Sequence, residues 1–124
     1  MRERFRYLQY MHIEQYRNFC ITLDGVSEDF PFDQNTLVFK VYGKMFALTD
    51  VENFQSVNLK CDPENAILLR EQYSSVLPGY HMNKKHWNTV LIDDSIPDTI
   101  LFGWIKDSYD LVLKGIPVSK RIFN

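Results

Sequence analysis

The chain has 124 residues, 45% of them hydrophobic and 24% charged, which indicates one globular domain and excludes a disordered tail or a fibrous repeat. A formal net charge of -2 at pH 7 argues against a strongly basic nucleic-acid-binding protein. Cys20 and Cys61 have no metal-ligand spacing, and no apolar run approaches the roughly 20 residues of a membrane span. We therefore expect a soluble, cytoplasmic protein with two reduced thiols and no membrane association.

The N-terminal part divides into a leader, a helix and a loop. Residues 1–11 fall outside any periodic pattern and are predicted to be a leader, with Met11 as an alternative start. Apolar residues then recur at helical spacing over residues 13–23. Gly25 stands where a left-handed residue would cap this helix. Residues 26–35 are predicted to form a loop.

Two aromatic residues flank a proline within the predicted loop. Pro31 favours an extended conformation for Phe30, the residue before it. Phe30 and Phe32 are expected to anchor the loop to the core.

Three β-rich runs, at residues 36–42, 45–49 and 56–60, predict an antiparallel meander. The first two are joined by a short link that contains Gly43, which is typical of a hairpin. The third alternates strictly between apolar and polar residues, which indicates a strand with one solvent-facing side.

The C-terminal half is predicted to contain two helices and one strand. Asp62 precedes a proline, as the N-cap of a helix that ends before residues 78–79. Residues 87–92 favour a strand, and a wide apolar stripe over residues 97–115 favours a long helix. We predict an α+β fold in the order helix, three-strand meander, helix, strand, helix, with the helices on one face of an antiparallel sheet. The predicted core residues are Leu37, Phe39, Phe46, Leu48, Val57, Leu59, Ile67, Trp104 and Ile105.

One segment, residues 78–89, carries most of the candidate binding chemistry. It combines lysine, histidine, amide and aromatic side chains without any acidic residue, which suits an anionic or planar ligand. Alternation puts Lys40 and Lys60 on the sheet face without helices, which we call the open face, and Lys44 lies in the hairpin link. Five lysines would converge if this segment covers the open face. The predicted binding residues are Lys40, Lys44, Lys60, Tyr80, His81, Asn83, Lys84, Lys85, His86, Trp87 and Asn88.

Two other interpretations of the segment remain open. The first is a pocket for a small anionic ligand or a peptide, formed by the compact cluster Tyr80, His81, Lys84, His86 and Trp87. The second is an enzyme with a histidine as acid–base, but no nucleophile has a recognisable His–Asp partner and no Gly-rich phosphate loop is present. Neither a metal site nor a cofactor is predicted, because His81 and His86 lack further ligands nearby in the sequence.

Several motifs of the chain resemble those of the MmcQ/YjbR family of small bacterial proteins. The motifs are Gly25-Val26, Glu28-Asp29-Phe30-Pro31-Phe32, Leu37-Val38-Phe39-Lys40-Val41, Gly43-Lys44-Met45-Phe46-Ala47, Asn58-Leu59-Lys60-Cys61-Asp62-Pro63, Pro78-Gly79-Tyr80-His81-Met82-Asn83-Lys84-Lys85-His86-Trp87-Asn88 and Ser108-Tyr109-Asp110-Leu111-Val112. The resemblance implies one domain over residues 12–117, followed by a tail at 118–124.

The resemblance also implies a fold of the frataxin/CyaY type and a DNA-binding role, which is commonly predicted for proteins of this family. That role would fall on Lys40, Lys44, Lys60, Lys84, Lys85, His86 and Trp87. It does not extend to iron, because the first helix carries only Glu14 and Asp24 instead of an acidic ridge. We therefore predict a monomeric, non-enzymatic module that binds DNA or single-stranded nucleic acid, with the anionic ligand or peptide as the alternative.

Overall fold

The computed structural model describes residues 11–121, and within this range the chain forms six strands, three α-helices and one short 3-10 helix. The elements are α1 (Ile13–Ile21), β1 (Val26–Asp29), β2 (Thr36–Val41), β3 (Lys44–Asp50), β4 (Ser56–Lys60), α2 (Pro63–Gln72), β5 (Val76–Pro78), β6 (Trp87–Leu91), α3 (Asp98–Lys114) and the 3-10 helix (Val118–Lys120). The strands lie in the order β1-β2-β3-β4-β6-β5, and every neighbouring pair is antiparallel. The predicted α+β class and antiparallel sheet are confirmed.

The hairpin turn and the cap of α2 form where local residue chemistry predicted them, but the predicted cap of α1 at Gly25 is wrong, because α1 ends at Ile21 and is capped by Thr22. Tyr42 and Gly43 have φ values of 46° and 86°, and this pair of positive angles makes a two-residue hairpin turn whose twist matches the strands. The carboxylate of Asp62 accepts the N–H of Asn65 at 3.4 Å and caps α2. Gly25 also has a positive φ, 78°, but it lies beyond the end of α1 and leads into β1.

Two strands lie where the sequence predicted none. β1 occupies the start of the predicted loop at residues 26–35, and it pairs with β2. β5 is three residues long and lies at the sheet edge, where a strand tolerates a proline. The predicted three-strand meander is therefore a four-strand one, and β6 is an inner strand between β4 and β5.

The main core lies between the helices and one face of the sheet. Tyr16 of α1 and Ile105 of α3 are fully buried there with Phe39 and Phe46 of the sheet. The rings of Tyr16 and Phe39 meet edge to face with their centroids 5.5 Å apart. Met11 is buried in the same core, although the sequence assigned it to the leader, and leader residues 1–10 lie outside the described range.

Two of the predicted core residues lie elsewhere. Ile67 is on the exposed side of α2. Leu48 is buried on the opposite face of the sheet, because a β-bulge leaves Phe46 without a partner in the register between β2 and β3. The extra residue turns Phe46 and Ala47 both toward the helices, so Leu48 points away from them.

A serine of α3 satisfies the backbone groups beside this bulge. Ser108 Oγ donates a hydrogen bond to the Phe46 carbonyl at 2.6 Å and accepts one from the Lys60 backbone N–H at 2.8 Å. Ser108 is fully buried. One hydroxyl therefore ties α3 to β3 and β4 at the point where the sheet is irregular.

The carboxylate of Asp93, in the turn before α3, connects this turn to Ser75, the residue before β5. Asp93 accepts hydrogen bonds from the hydroxyls of Ser75 and Ser95, each at 2.6 Å. These hydrogen bonds, with that from Ser75 the larger cause, lower the pKa of Asp93 below the ordinary carboxyl value. The ionised form of Asp93 therefore stabilises the folded state.

Replacing Asp93 with asparagine is expected to lower the free energy of unfolding at pH 7 by less than about 1 kcal/mol, because Asp93 is exposed. This loss should disappear in acid. The contribution of Asp93 to the free energy of unfolding is complete above the ordinary carboxyl pKa of about 3.9, and it vanishes as pH falls through the lower folded-state pKa. Urea unfolding across this pH range measures it. Asp94→Asn is the matched control, and a loss that stays constant with pH would contradict the assignment.

Candidate functional site

The open face of the sheet carries a second, smaller core. Val38, Leu48 and Trp87 are buried there, with Met45 and Met82 packed against them. Met82 comes from residues 79–86, which join β5 to β6 and which we call the cover loop. The cover loop therefore lies against the open face, which was the condition that the sequence analysis set for its lysines to join Lys40 and Lys60.

Hydrogen bonds and one glycine fix the cover loop. The Gly79 N–H donates to the Trp87 carbonyl at 2.9 Å, and a Cβ on Gly79 would lie only 2.8 Å from the Cβ of Trp87. Asn83 Oδ1 accepts the N–H of Lys85 at 2.9 Å. Lys84 Nζ donates to the Gly79 carbonyl at 3.0 Å. Asn83 and Lys84 thus have a structural role in holding this loop.

Three of the predicted lysines lie at one end of the sheet, and two of them, Lys40 and Lys60, are on the open face. Lys40 is in register with Met45, and Lys60 is in register with Trp87, as strand alternation predicts. Lys44 is in register with Val41 of the main core, so it does not lie on the open face, and with Lys60 and Trp87 it lines a hollow that the C-terminal end of α3 borders. We call Lys40, Lys44 and Lys60 the lysine row.

The lysines of the row differ in how far their charge is compensated. Lys40 Nζ lies 3.5 Å from a carboxylate oxygen of Asp29, which forms a weak ion pair. Within residues 11–121, neither Lys44 nor Lys60 forms an ion pair. Lys44 and Lys60 are therefore the cations of this row that are best able to bind an anion.

The other end of the open face is a groove of about 620 Å³. Leu48 and Asn58 contribute to its floor, while Phe32, Tyr80 and His81 form its walls. Phe32 is 64% exposed and Tyr80 is 68% exposed, and the rings of Tyr80 and His81 lie with centroids 4.0 Å apart. We call this feature the aromatic groove, and its exposed rings offer surfaces on which a planar group can stack.

The sequence predicted that Phe30 and Phe32 anchor their loop to the core. This prediction is wrong, because both side chains are exposed. The loop is held instead by the carboxylate of Asp33, which accepts the backbone N–H groups of Asn35 at 2.9 Å and Thr36 at 2.6 Å. These hydrogen bonds lower the pKa of Asp33. A polar turn thus fixes the loop, and its aromatic rings face solvent.

Thr89 connects the cover loop to the groove floor. Its Oγ1 accepts the backbone N–H of Tyr80 at 2.9 Å and donates to Asn58 Oδ1. Thr89 is itself buried on strand β6. Tyr80 is therefore held at a defined position beside the groove, although its ring is exposed.

The open face is polarised in charge. Asp33 and Asp50 line the aromatic groove, whereas none of the described residues that line it is a lysine or an arginine. The lysine row lies at the Trp87 end of the sheet, with Lys40 and Lys60 on this face. An anionic group is therefore attracted to the lysine end and repelled from the groove end.

Two residues of the predicted site, one aromatic and one with an amide side chain, are part of the folded core. Trp87 is only 8% exposed, so its ring packs against the sheet and is not available to stack on a base. Asn88 is 2% exposed and lies on the helix side of β6, where its Nδ2 donates to the Ala66 carbonyl at 3.3 Å. Neither side chain is a surface contact on the open face.

The five residues of the predicted pocket do not line one common cavity. Tyr80 and His81 line the aromatic groove, whereas Trp87 lines the hollow beside the lysine row. Lys84 bonds within the cover loop, and His86 is half-buried just before β6. Lys85, from the wider predicted site, is exposed at the end of the same loop. Among the groove residues that the predicted site does not include are Phe32, Asp33, Asp50 and Asn58.

The thiols are separate and protonated at neutral pH. Cys20 is buried and Cys61 is half-buried, and both are free. Burial is the main cause that raises the pKa of each thiol. Over residues 11–121, no cluster of three His, Cys, Asp or Glu residues is arranged to hold a metal, and no helix is long and apolar enough to cross a membrane.

Comparison with known proteins identifies the family of this chain. The sequence model of the YjbR family matches residues 21–111. The chain belongs to the YjbR family. The uncharacterized protein YjbR of Escherichia coli K12 is 37% identical over 112 residues, which are 90% of this chain and 95% of that protein. The uncharacterized protein YbdF of Escherichia coli O157:H7 is 38% identical over 104 residues, or 83% of this chain and 85% of that protein.

Solved structures share the fold of this YjbR-family chain. One is the crystal structure of Deinococcus radiodurans protein DR2400, which contains the domain DUF419. Its sequence is 40% identical to this chain and its TM-score is 0.85, and the match covers 91% of this chain and 87% of that chain. The crystal structure of a Pseudomonas syringae protein is 26% identical with a TM-score of 0.68, over 82% of this chain and 98% of its own. The family and the fold class predicted from the sequence are thus confirmed.

Proposed function

We propose that this protein is a non-enzymatic module that binds single-stranded nucleic acid on the open face of its sheet. The observation that carries the proposal is that Lys40 and Lys60 share the open face with the aromatic groove, while Lys44 lies at the same end of the sheet as Lys60. Lysine ammonium groups bind phosphates as point charges, and exposed aromatic rings stack on bases with little sequence preference. The two ends of the face thus match the two chemical parts of a nucleotide.

The charge pattern defines the orientation of the bound strand. Asp33 and Asp50 at the aromatic groove repel phosphates, so the phosphate backbone follows Lys44 and Lys60 while bases enter the groove. A duplex keeps its bases stacked and paired, whereas a single strand can splay them toward aromatic side chains. A single strand is therefore the preferred ligand.

Replacing both Lys44 and Lys60 with alanine is expected to reduce the salt dependence of binding. Each phosphate neutralised on a single strand contributes about 0.7 to the slope of log affinity against log salt, so the slope should flatten by roughly 1 to 1.5 units. Fluorescence anisotropy of a labelled oligothymidine at several salt concentrations measures this. Lys84 is left unchanged because it holds the cover loop.

The matched control removes two lysines elsewhere, Lys106 on α3 and Lys120 in the 3-10 helix, with the same change in net charge. This control should leave the slope close to that of the wild type. The proposal would be contradicted by an absence of saturable binding at low salt, or by equal slopes for the two double variants.

Replacing Tyr80 with alanine is expected to weaken single-strand binding by about 1 to 3 kcal/mol, because one base loses its stacking surface. Tyr80 is 68% exposed, so the free energy of unfolding should change by no more than about 0.5 kcal/mol. Duplex binding, measured with the same label, should change little. Equal losses for single strand and duplex would exclude stacking on Tyr80.

The aromatic groove also supports a second candidate ligand, a short peptide. Its carboxylates Asp33 and Asp50 and its ring Phe32 suit a basic and aromatic peptide better than an anion. A small anion, the other form of this alternative, would bind at the hollow beside Lys44 and Lys60. If Tyr80→Ala and the double lysine change leave oligonucleotide binding unaltered, peptide binding becomes the better account of this face.

A further inference from the structure

The floor of the aromatic groove presents an amide whose orientation is fixed by the residues behind it. Thr89 Oγ1 accepts the backbone N–H of Tyr80 and donates its own hydrogen to Asn58 Oδ1. Because the oxygen of the Asn58 amide faces Thr89, its Nδ2 faces away from Thr89. Asn58 lines the groove and is half-buried. Within residues 11–121, its Nδ2 has no hydrogen-bond partner and is not enclosed by protein, so the groove floor offers N–H donors to a ligand.

A carboxylate acceptor lies beside this donor on the same face. Leu48 is in register with Asn58, so Asp50, two residues further along β3, is a diagonal neighbour of Asn58. Such neighbours on antiparallel strands are about 7 to 8 Å apart. Asp50 Oδ1 accepts the N–H of Glu52 at 2.8 Å, and in the part of the chain that the structure describes its Oδ2 has no hydrogen-bond partner. The floor therefore combines a donor and an acceptor within reach of one base.

The other charged and amide groups of the groove are less suited to select a base. Both carboxylate oxygens of Asp33 already accept hydrogen bonds within their own turn. Asn53 and Gln55 line the groove but are exposed, and no hydrogen bond within residues 11–121 fixes their amides. Asn58 and Asp50 are thus the pair that gives the floor a defined pattern of donor and acceptor.

We propose that the aromatic groove selects guanine among the bases of a bound single strand, an inference that rests on the nucleic-acid function proposed above. A base that stacks on the ring of Tyr80, in the groove wall, directs its edge toward the floor. There, guanine O6 accepts a hydrogen bond from Asn58 Nδ2, while guanine N1–H and N2–H donate to the Asp50 carboxylate. Specific recognition of single strands commonly uses such contacts to the base edges.

Guanine differs from the other bases in its second donor. Adenine, cytosine and thymine can each place one acceptor at Asn58 and one donor at Asp50, which gives one hydrogen bond to each residue. Guanine offers two adjacent donors beside its acceptor, so it makes two parallel hydrogen bonds to the carboxylate. Charge-assisted, bidentate hydrogen bonds of this kind are stronger than neutral single ones.

Pentathymidines in which the central base is replaced by guanine, adenine or hypoxanthine test this selection on the wild-type protein. Hypoxanthine, the base of inosine, is guanine without the N2 amino group. All three probes have the same charge and a central purine for stacking, and their short length limits alternative registers. In fluorescence anisotropy at low salt, the guanine probe should bind about tenfold more tightly than either of the other two, because only guanine makes the second charge-assisted hydrogen bond.

Replacing Asp50 with asparagine removes the carboxylate and keeps an oxygen that can accept the Glu52 N–H. The guanine and adenine probes should then bind with affinities within roughly twofold of each other. Asp50 is exposed, so the fold should be retained, which thermal unfolding checks. The matched control, Asp107→Asn on α3, makes the same change in net charge at an exposed position and should keep the preference of about tenfold.

Replacing Asn58 with aspartate tests the donor separately. This variant keeps an oxygen that accepts the hydrogen bond from Thr89 and replaces the Nδ2 donor with a second oxygen, which repels guanine O6. The preference for guanine over adenine should again be lost. Because each preference is a ratio measured on one variant, a general change in phosphate attraction cancels.

Unmodified pentathymidine separates the failure of this inference from the failure of the proposed function. If neither it nor any purine probe binds saturably at low salt, the nucleic-acid function fails and the guanine selection fails with it. If the probes bind but guanine, adenine and hypoxanthine give equal affinities, the nucleic-acid function stands and the guanine selection is overturned. A guanine preference that persists unchanged in Asp50→Asn would also overturn it.

Discussion

Replacing Trp87 with alanine is expected to lower the free energy of unfolding by about 3 to 5 kcal/mol. The indole is 8% exposed and packs with Val38 and Leu48 on the open face, beneath the cover loop. Its removal leaves a cavity, and it also removes the support on which Met82 rests. Urea unfolding followed by circular dichroism measures the loss.

Tyr80→Ala is the control for this prediction, because it truncates an aromatic residue of the same segment whose ring is exposed. Any loss of nucleic-acid binding by Trp87→Ala follows from its effect on the fold and carries no information about stacking. If the two variants were equally stable, the ring of Trp87 would not be packed, and a direct stacking role would have to be considered again.

Replacing Ser108 with alanine is expected to lower the free energy of unfolding by about 2 to 4 kcal/mol, because two buried backbone groups lose their partner together. These groups are the Phe46 carbonyl and the Lys60 N–H, both bonded to Ser108 Oγ. Faster hydrogen exchange at the Lys60 amide should accompany the loss.

The exposed Ser119 provides the matched control for this substitution. Ser119→Ala should change the free energy of unfolding by no more than about 0.5 kcal/mol. A Ser108→Ala variant as stable as this control, with unchanged hydrogen exchange at the Lys60 amide, would show that the Phe46 carbonyl and the Lys60 N–H have other hydrogen-bond partners.

Local signals in the sequence were sufficient for most of the fold. The Tyr42-Gly43 turn, the Asp62 cap and the long apolar stripe of α3 are each encoded within a few neighbouring residues. β5 was missed because it has only three residues and ends in Pro78, so its strand character depends on pairing with β6. β1 was missed for a similar reason: its short, partly acidic run becomes a strand by pairing with β2.

Strand alternation also has a clear limit in this chain. It placed Lys40 and Lys60 on the open face correctly. It placed Phe46 and Leu48 on one face, which is wrong, because the bulge at Phe46 shifts the alternation by one residue. A bulge depends on the partner strand and on groups such as Ser108, so the run of residues in β3 alone does not reveal it.

The candidate site was predicted only in part, because some of its features depend on contacts between segments that are distant in the sequence. The composition of residues 78–89 identified the segment, but the burial of Trp87 follows from the way the cover loop folds over the sheet. Asn58 alternates with Lys60 on β4, and that pattern was enough to place it on the open face. The exposure of Phe32 was not predictable, because it depends on the hydrogen bonds that Asp33 makes to its own loop.

The most direct test of the nucleic-acid proposal is a titration of the isotope-labelled protein with an oligothymidine at low salt, followed by amide chemical shifts. We expect saturable shifts at Lys60, Asn58 and Tyr80 on the open face and at Lys44 at the same end of the sheet as Lys60, with little change at Lys106 on α3. Shifts confined to the helix side, or no saturable shift on the open face, would contradict the proposal.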